Sequence, residues 1–385
     1  MKSGQGRPSL RKLARLANVS PSTVSRALSG KEGVSPETRA RVLVLAQEMG
    51  LVARDAVIGR PQKERSDDLN GGDGRAQRIT AALIIDSRSN PGLAQLVTEP
   101  FYTELVAGLY EGGRRYHADL QLVTVDSESD LADAIGRDVD GVIWLGYNPI
   151  EGYEPWVSQF FQRGIAVVLC DHYVPDLPCD AVLSDNVSGA YEAATHVARL
   201  GHRRVSILGQ DLPSTAAVER VKGALAGLVQ AGVSPKEIQT IIAPPSFDGG
   251  YAVLDRALEF GATAVLCGND TMALGVIRRA FELGVNIPGD LSVVGFDDIA
   301  TSSKVTPALT TVRVDKLRLG IETVRRLRLA IFERQLGIES PPGTRGGAVR
   351  SLVPTRLIQR ESTGALAGPE SAAINFRQST STQIG

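Results

Sequence analysis

Several things are missing from this chain, and each absence removes a class of protein. No run of 18 apolar residues occurs, so no transmembrane helix is expected. The first residues, "MKSGQGRPSLRKLARL", lack the apolar core of a secretory signal, and the cytoplasm is the expected compartment. Cys170, Cys179 and Cys267 stand in no C-x-x-C pair. An odd set of thiols suits a reducing environment, and with four histidines it shows no metal-ligand spacing. Neither a G-x-G-x-x-G after the first expected strand nor a G-x-x-x-x-G-K-[ST] is present, so no nucleotide cradle is supported. No cofactor and no metal are expected. Cys170, Asp171 and His172 are adjacent, yet Cys170 closes an apolar run and reads as a buried structural thiol. His117, His196 and His202 fall near helix C-termini, where an imidazolium is favoured.

What is present is length and an uneven charge. The 385 residues, 43% of them hydrophobic, exceed one compact core. A formal net charge of -1 conceals +7 in residues 1–60 and -8 in the remainder. Such asymmetry points to a nucleic-acid contact or a membrane-surface contact at one end.

The basic end carries helical spacing. Leu10, Leu13, Ala14 and Ala17 share one face. Ser20 is a candidate N-cap and Pro21 stands at the first helical position of "PSTVSRAL". In that helix Val24, Ala27 and Leu28 turn inward, while Ser22, Arg26 and Ser29 face solvent. Ser35 caps a third helix with Val42, Leu45, Ala46 and Met49 inward. Three short helices with a tight turn before the second follow the helix-turn-helix plan. Small hydroxyl residues let such a helix seat closely in a major groove, with Ser20, Thr23, Ser25 and Ser29 as candidate phosphate donors. Arg26 can reach a guanine edge with two hydrogen bonds. A small helical cap with merely solvated serines is the competing reading.

"NVSPSTVSRALSGKEGVSPETRARV" closely resembles the DNA-binding segment of the lactose/galactose-repressor family. Val19, Ser20, Thr23, Val24, Ser25, Arg26, Val34, Ser35, Thr38 and Arg39 match its pattern. The resemblance implies base contacts from Pro21, Ser22 and Arg26. It also implies a hinge helix with a Leu wedge, but here Arg60 occupies the wedge position, leaving Val57 or Ile58 as substitutes or no hinge helix at all. Residues 59–78 contain almost nothing to bury and read as a flexible linker.

From residue 79 onward, β-rich apolar runs alternate with amphipathic helices. Strands are expected at 79–86, 120–125, 141–146, 166–170, 204–209, 239–243, 263–268 and 291–296. The pattern predicts an α/β fold of doubly wound parallel sheets, divided into two lobes. Ligands in such sheets bind at the carboxyl ends of strands, where Asp86, Asp171, Asn269, Asp270, Asp297 and Asp298 fall. Arg220 lies on the helix after 204–209. Asp, Asn and Arg together suit a polyhydroxylated ligand, although loop-end carboxylates also serve simple turn hydrogen bonds.

The body "GNDTMALGVIRRAFELGVNIPGDLSVVGFDDI" resembles the same family's effector-binding part, so the likeness runs from about residue 9 to about 361. It implies an N-terminal helix-turn-helix domain followed by a periplasmic-binding-protein-like core of two lobes, joined by three crossovers around a cleft. Domains are then expected at 1–58, 59–78 and 79–361. Lobe 1 takes 79–178 with 304–336, lobe 2 takes 179–303 with 337–361, and 362–385 is expected to be a disordered tail. The family motifs mark Phe101, Asp171, Arg220, Asn269 and Asp297 as effector-binding, though Glu99 stands where the motif before Phe101 has Asn. Asp270 and Asp298 are expected as helix caps. The expected protein is a ligand-responsive regulator, a repressor, whose partners are double-stranded operator DNA, a sugar-like effector and a second copy of itself. A transport-type solute-binding protein or a sugar- or nucleoside-processing enzyme is the alternative, and no acid/base constellation demands turnover.

Overall fold

A computed structural model describes residues 10–28, 33–35, 38–39, 41–42, 45–46, 57–58, 78–86, 100–125, 127–136, 138–146, 153–174, 177, 179–212, 214–336 and 348–366. The helical head opens with α1 (Leu10–Leu16) and α2 (Pro21–Leu28). Asn18 makes the turn between them at φ 51°, a left-handed conformation that Asn tolerates. Residues 38–39, 41–42 and 45–46 are helical. Leu13, Ala17, Val24, Ala27, Val42 and Ala46 form one small buried cluster, the inward set that the 3.6-residue period requires.

The chain then forms two compact units. The first comprises Met1–Asp185, Leu212–Val218 and Val314–Thr355; the second comprises Asn186–Asp211, Glu219–Arg313 and Arg356–Gly385. In chain order the first unit's elements begin with β1 (Val57–Ile58), β2 (Ile79–Asp86), α3 (Pro100–Arg115) and β3 (Ala118–Val125). They continue with α4 (Glu128–Gly136), β4 (Gly141–Gly146), α5 (Tyr153–Gln162), β5 (Ala166–Cys170) and β6 (Asp180–Ser184). The sheet runs β1-β3-β2-β4-β5-β6 and ends on β12 (Arg350–Val353). Its interior pairs are parallel, and β1 is antiparallel to β3, with Val57 opposite Gln121 and Ile58 opposite Leu120. Val57 and Ile58 are therefore extended edge-strand residues, which goes against the first of the two readings left open by the sequence, their use as wedges in a hinge helix.

Alternation on β2 sends Ala81, Leu83 and Ile85 into one core and Ala82 and Ile84 into the other, as a strand buried on both faces must. The first core is covered by α3 and α10 (Lys316–Gln335). A Cβ on Gly108 of α3 would lie 2.3 Å from the Leu317 carbonyl oxygen, so these two helices approach at backbone distance. The second core holds Trp144, set edge-on to Phe160 of α5 with centroids 6.4 Å apart.

The second unit contains α6 (Asn186–Arg199), β7 (Val205–Gln210), α7 (Thr215–Gln230), β8 (Ile238–Ala243), α8 (Phe247–Glu259), β9 (Ala264–Cys267), α9 (Asp270–Leu283), β10 (Ser292–Asp297), β11 (Thr310–Val314) and β13 (Thr355–Ile358). Strand order is β13-β11-β10-β9-β7-β8. The first four residues of α7, Thr215–Val218, are grouped with the first unit.

Three expectations change here. β6 and β12 belong to the first sheet, and residues 304–313 to the second unit, so the lobe boundaries expected at 178/179, 303/304 and 336/337 lie instead at 185/186, 313/314 and 355/356. Residues 362–366, expected to open a disordered tail, are ordered: Ser362 is buried, donating to the Val293 carbonyl at 2.6 Å and accepting from the Thr310 amide at 2.8 Å, and residues 367–385 lie outside the described residues. Finally, burial lowers the pKa of His196 and His202, which hydrogen-bond Thr363 and the Gly364 carbonyl respectively. Burial thus works against the imidazolium form that a helix C-terminus would favour.

Candidate functional site

In the head, sequence and local geometry agree. The Thr23 amide donates to Ser20 Oγ at 3.1 Å, making Ser20 the N-cap of α2. The same hydroxyl lies 2.7 Å from Ser22 Oγ and 2.8 Å from Thr23 Oγ1, so capping already engages Ser20 and Thr23. Val24 and Ala27 are buried, while Pro21, Ser22, Ser25 and Arg26 are exposed. Ser29 lies outside the described residues. The residue sequence reasoning left unexplained is Arg39. It is buried, and its Nη1 donates to the Ala27 carbonyl at 2.7 Å and to that of Arg26 at 3.2 Å. A cation here satisfies the last carbonyls of α2 and complements the negative end of its dipole. The third helix thereby locks the second.

In the second unit, the guanidinium of Arg220 is the centre of a buried cluster. Nε donates to Asn186 Oδ1 at 3.0 Å, Nη1 to the Gly268 carbonyl at 2.7 Å, and Nη2 sits 2.9 Å from Asp297 Oδ1. Its Cζ lies 4.0 Å above the Phe296 ring centroid, a stacked arrangement suited to a planar cation. Asn186 is held in turn by Glu219, to which its Nδ2 donates at 3.3 Å. Arg220 and Asp297 are only 8% and 7% exposed. Charge at that depth is tolerable because the pair is mutual and the remaining donors have partners. Asn186, the Gly268 carbonyl and Phe296 were not found by reading strand ends. Asn186 opens a helix and Phe296 resembles any core aromatic, so nothing local distinguishes them.

Asp297 and Asp298 are consecutive left-handed residues, at φ 104° and 51°. Such conformations cost about 1–3 kcal/mol each and persist only where the surroundings over-determine them. Asp298 is not the expected helix cap. It accepts from Arg313 Nε at 2.5 Å and Arg360 Nη2 at 2.6 Å. Burial opposes its charge, but the hydrogen bonds from Arg360 and Arg313 hold its carboxyl below the usual carboxylate range.

Asp270 is likewise not the cap of α9. Asn269 is, accepting from the Met272 amide at 2.8 Å while its Nδ2 donates to the Pro245 carbonyl at 3.3 Å. Asp270 is fully buried one position later and accepts from the Ile299 amide, Ser302 Oγ and Thr311 Oγ1 at 2.9, 2.6 and 2.5 Å. Burial, reinforced by the charge of Asp297, pushes its carboxyl up to about 7. A Cβ on Gly295 would come within 2.1 Å of Asp270 Oδ1, which is why this β10 position has no side chain.

In the first unit, Asp171 follows β5 at φ 58°, and its Oδ1 accepts from both the amide and the hydroxyl of Ser184, at 3.0 and 2.7 Å. Phe101, in the first turn of α3, is half-buried and edge-on to Tyr102 at 5.2 Å. Cys170 is buried, and burial pushes its thiol up to about 12, the inert state expected of it. Among the described residues, no group of His, Cys, Asp and Glu has the spacing to hold a metal, and no helix is long and apolar enough to cross a membrane.

Comparison with known proteins places this arrangement. Residues 9–52 match the bacterial regulatory proteins of the lacI family, and residues 194–363 match the periplasmic binding protein-like domain. An uncharacterized HTH-type transcriptional regulator of Streptomyces limosus is 31% identical over 80% of this chain and 83% of its own length. HTH-type transcriptional regulator CelR of Thermobifida fusca is 29% identical over 92% and 98%. A solved complex of transcriptional regulator CelR with cellobiose superposes with a TM-score of 0.61 at 27% identity, covering 92% of this chain and all of that one. The chain belongs to the lacI family of bacterial regulatory proteins. It is a ligand-responsive DNA-binding transcriptional regulator.

Proposed function

We propose that this regulator is a cytoplasmic, non-enzymatic repressor that acts as a homodimer, in which a neutral sugar or sugar derivative modulates operator affinity. The observation that carries the effector assignment is the Arg220 cluster: a helix-borne guanidinium stacked on Phe296 and joined to Asn186, to the Gly268 carbonyl after β9 and to Asp297 at the end of β10. Arg220 and Asn269 would donate to ligand oxygens and Asp297 would accept from hydroxyls. Because Arg220 already meets Asp297, the charge of its guanidinium is answered within the pair, which favours a neutral polyol over a sugar acid. Phe101 and Asp171 are proposed as effector contacts on the strength of their motifs. On DNA, Arg26 would read a base edge, with Pro21 and Ser22 beside it, and Ser20, Thr23, Ser25 and Ser29 would meet phosphates. Operator binding by a dimer would place one head on each half-site.

A thermal-shift screen against cellobiose, ribose and other sugars and polyols tests the reading. A bound ligand stabilises by mass action, about 2.7 kcal/mol at a hundredfold excess over Kd. The stabilisation should be absent in Arg220→Ala measured against that variant's own baseline. A sugar that stabilises Arg220→Ala as much as the parent would remove the assignment.

A further inference from the structure

We infer that Arg360, acting with Arg313, is a positioning residue for effector recognition: the two guanidiniums clamp Asp298 and so fix the turn that presents Asp297 to Arg220. This rests on the reading of Arg220 and Asp297 given above. Arg360 touches neither of them, and its role runs entirely through Asp298.

The geometry is specific. Arg360 is anchored at three points, one of them the Asp298 carboxylate. Its backbone amide donates to Thr310 Oγ1 at 2.9 Å, its Nη1 donates to the Leu309 carbonyl at 2.7 Å, and its Nη2 reaches Asp298 at 2.6 Å. The neighbouring residues fasten the same segment: the Ala308 amide donates to Glu361 Oε2 at 3.0 Å, and Ser362 bridges β10 and β11. On the other side, Arg313 Nε reaches the second Asp298 oxygen at 2.5 Å. The Asp298 side chain is thus 6% exposed between two cations. That is the over-determination that two successive non-glycine left-handed residues need. Asp297 has no freedom to turn away from Arg220 while Asp298 is held. If the clamp is released, the backbone at 297–298 can leave the left-handed region, and the 2.9 Å contact to Arg220 goes with it.

The full-length protein, labelled with ¹⁵N in arginine, reports this directly. The Arg220 Nε–H is hydrogen-bonded and its guanidinium stacks on the Phe296 ring, so its resonance should be ring-current shifted and slow to exchange; Arg220→Lys identifies it. In Arg360→Ala the resonance should move toward the ordinary arginine position and exchange at least about tenfold faster, the scale of one lost charge-assisted contact. Arg313→Ala should shift it in the same direction. Arg360→Lys, which restores a charge without the forked geometry, should recover part of the signal. An unchanged Arg220 resonance in an Arg360→Ala protein with native circular dichroism overturns the proposal. Should that variant not fold, Asp298→Asn keeps the side-chain shape, and an unchanged resonance there overturns it equally. Failure of the effector reading looks different. In that case the Arg220 resonance still responds to Arg360→Ala, while Arg220→Lys leaves sugar-induced stabilisation intact.

Discussion

Two arginines of this regulator invite comparison. Arg26 lies on the exposed face of a short helix, while Arg220 lies buried under four kinds of contact. The first is placed by residues within one helical turn and can be moved by little except refolding of the head. The second is placed by residues 34, 48 and 77 positions away along the chain. An exposed arginine is available for an external partner at small cost to the fold. A buried one is first a structural element, and recognition must borrow it from the core.

The largest effect that separates them is on stability. Arg220→Ala leaves the buried Asp297 carboxylate without its cation and should destabilise the protein by about 3–5 kcal/mol, read from a urea denaturation midpoint at constant slope. A loss under about 1 kcal/mol would mean that the buried pair is screened and the comparison fails. Arg26→Ala should do the opposite. Stability should change by under about 0.5 kcal/mol, while specific operator binding weakens by about 1–3 kcal/mol. Undiminished preference for the operator over unrelated DNA in that variant would show that another residue reads the base.

Smaller effects sharpen the contrast. Ser20→Ala removes the cap of α2 and should lower the stability of the head by about 1 kcal/mol, visible as loss of amide protection in residues 22–24. The last test concerns pH. Asp270 is raised to about 7 when folded, against about 3.9 in an unfolded chain. Between these values the native state holds the proton and the unfolded state does not, so stability falls as pH rises from about 4 to about 7. Asp270→Asn should flatten that slope in chemical denaturation series, and a slope identical to the parent's would show that Asp270 is already ionised across the window.

Much of this was legible in the chain. Apolar spacing and the Ser-Pro start placed α2, and β-rich runs placed the main strands within a residue or two. Charge separation marked the DNA-binding end. The five-residue strands β6 and β11 escaped, as did the shorter β1, β12 and β13, because a run of two to five residues carries too few repeats to show a period of its own. Within the site, Asn269 and Asp297 stood out as polar strand ends, Arg220 as a cation on the helix after a strand, and family motifs marked all three, but their partners went unseen. Asn269 turned out to cap α9, and the carboxylate beside it, Asp270, to tie together β11 and the 299–302 turn. Proximity in sequence does not say which of two adjacent polar residues turns inward.

From its order of residues alone, the chain determined the helical head, the α/β class and the face on which Arg26 stands, since all three depend on patterns repeated every two to four residues. Only the tertiary structure decided that Asn186, Gly268, Phe296 and Asp297 surround one guanidinium, and that Arg360 reaches back 62 positions to Asp298. The reason is physical. Local periodicity records which side of an element avoids water, whereas the pairing of buried charges is settled by which loops the packed sheet brings within 3 Å of each other.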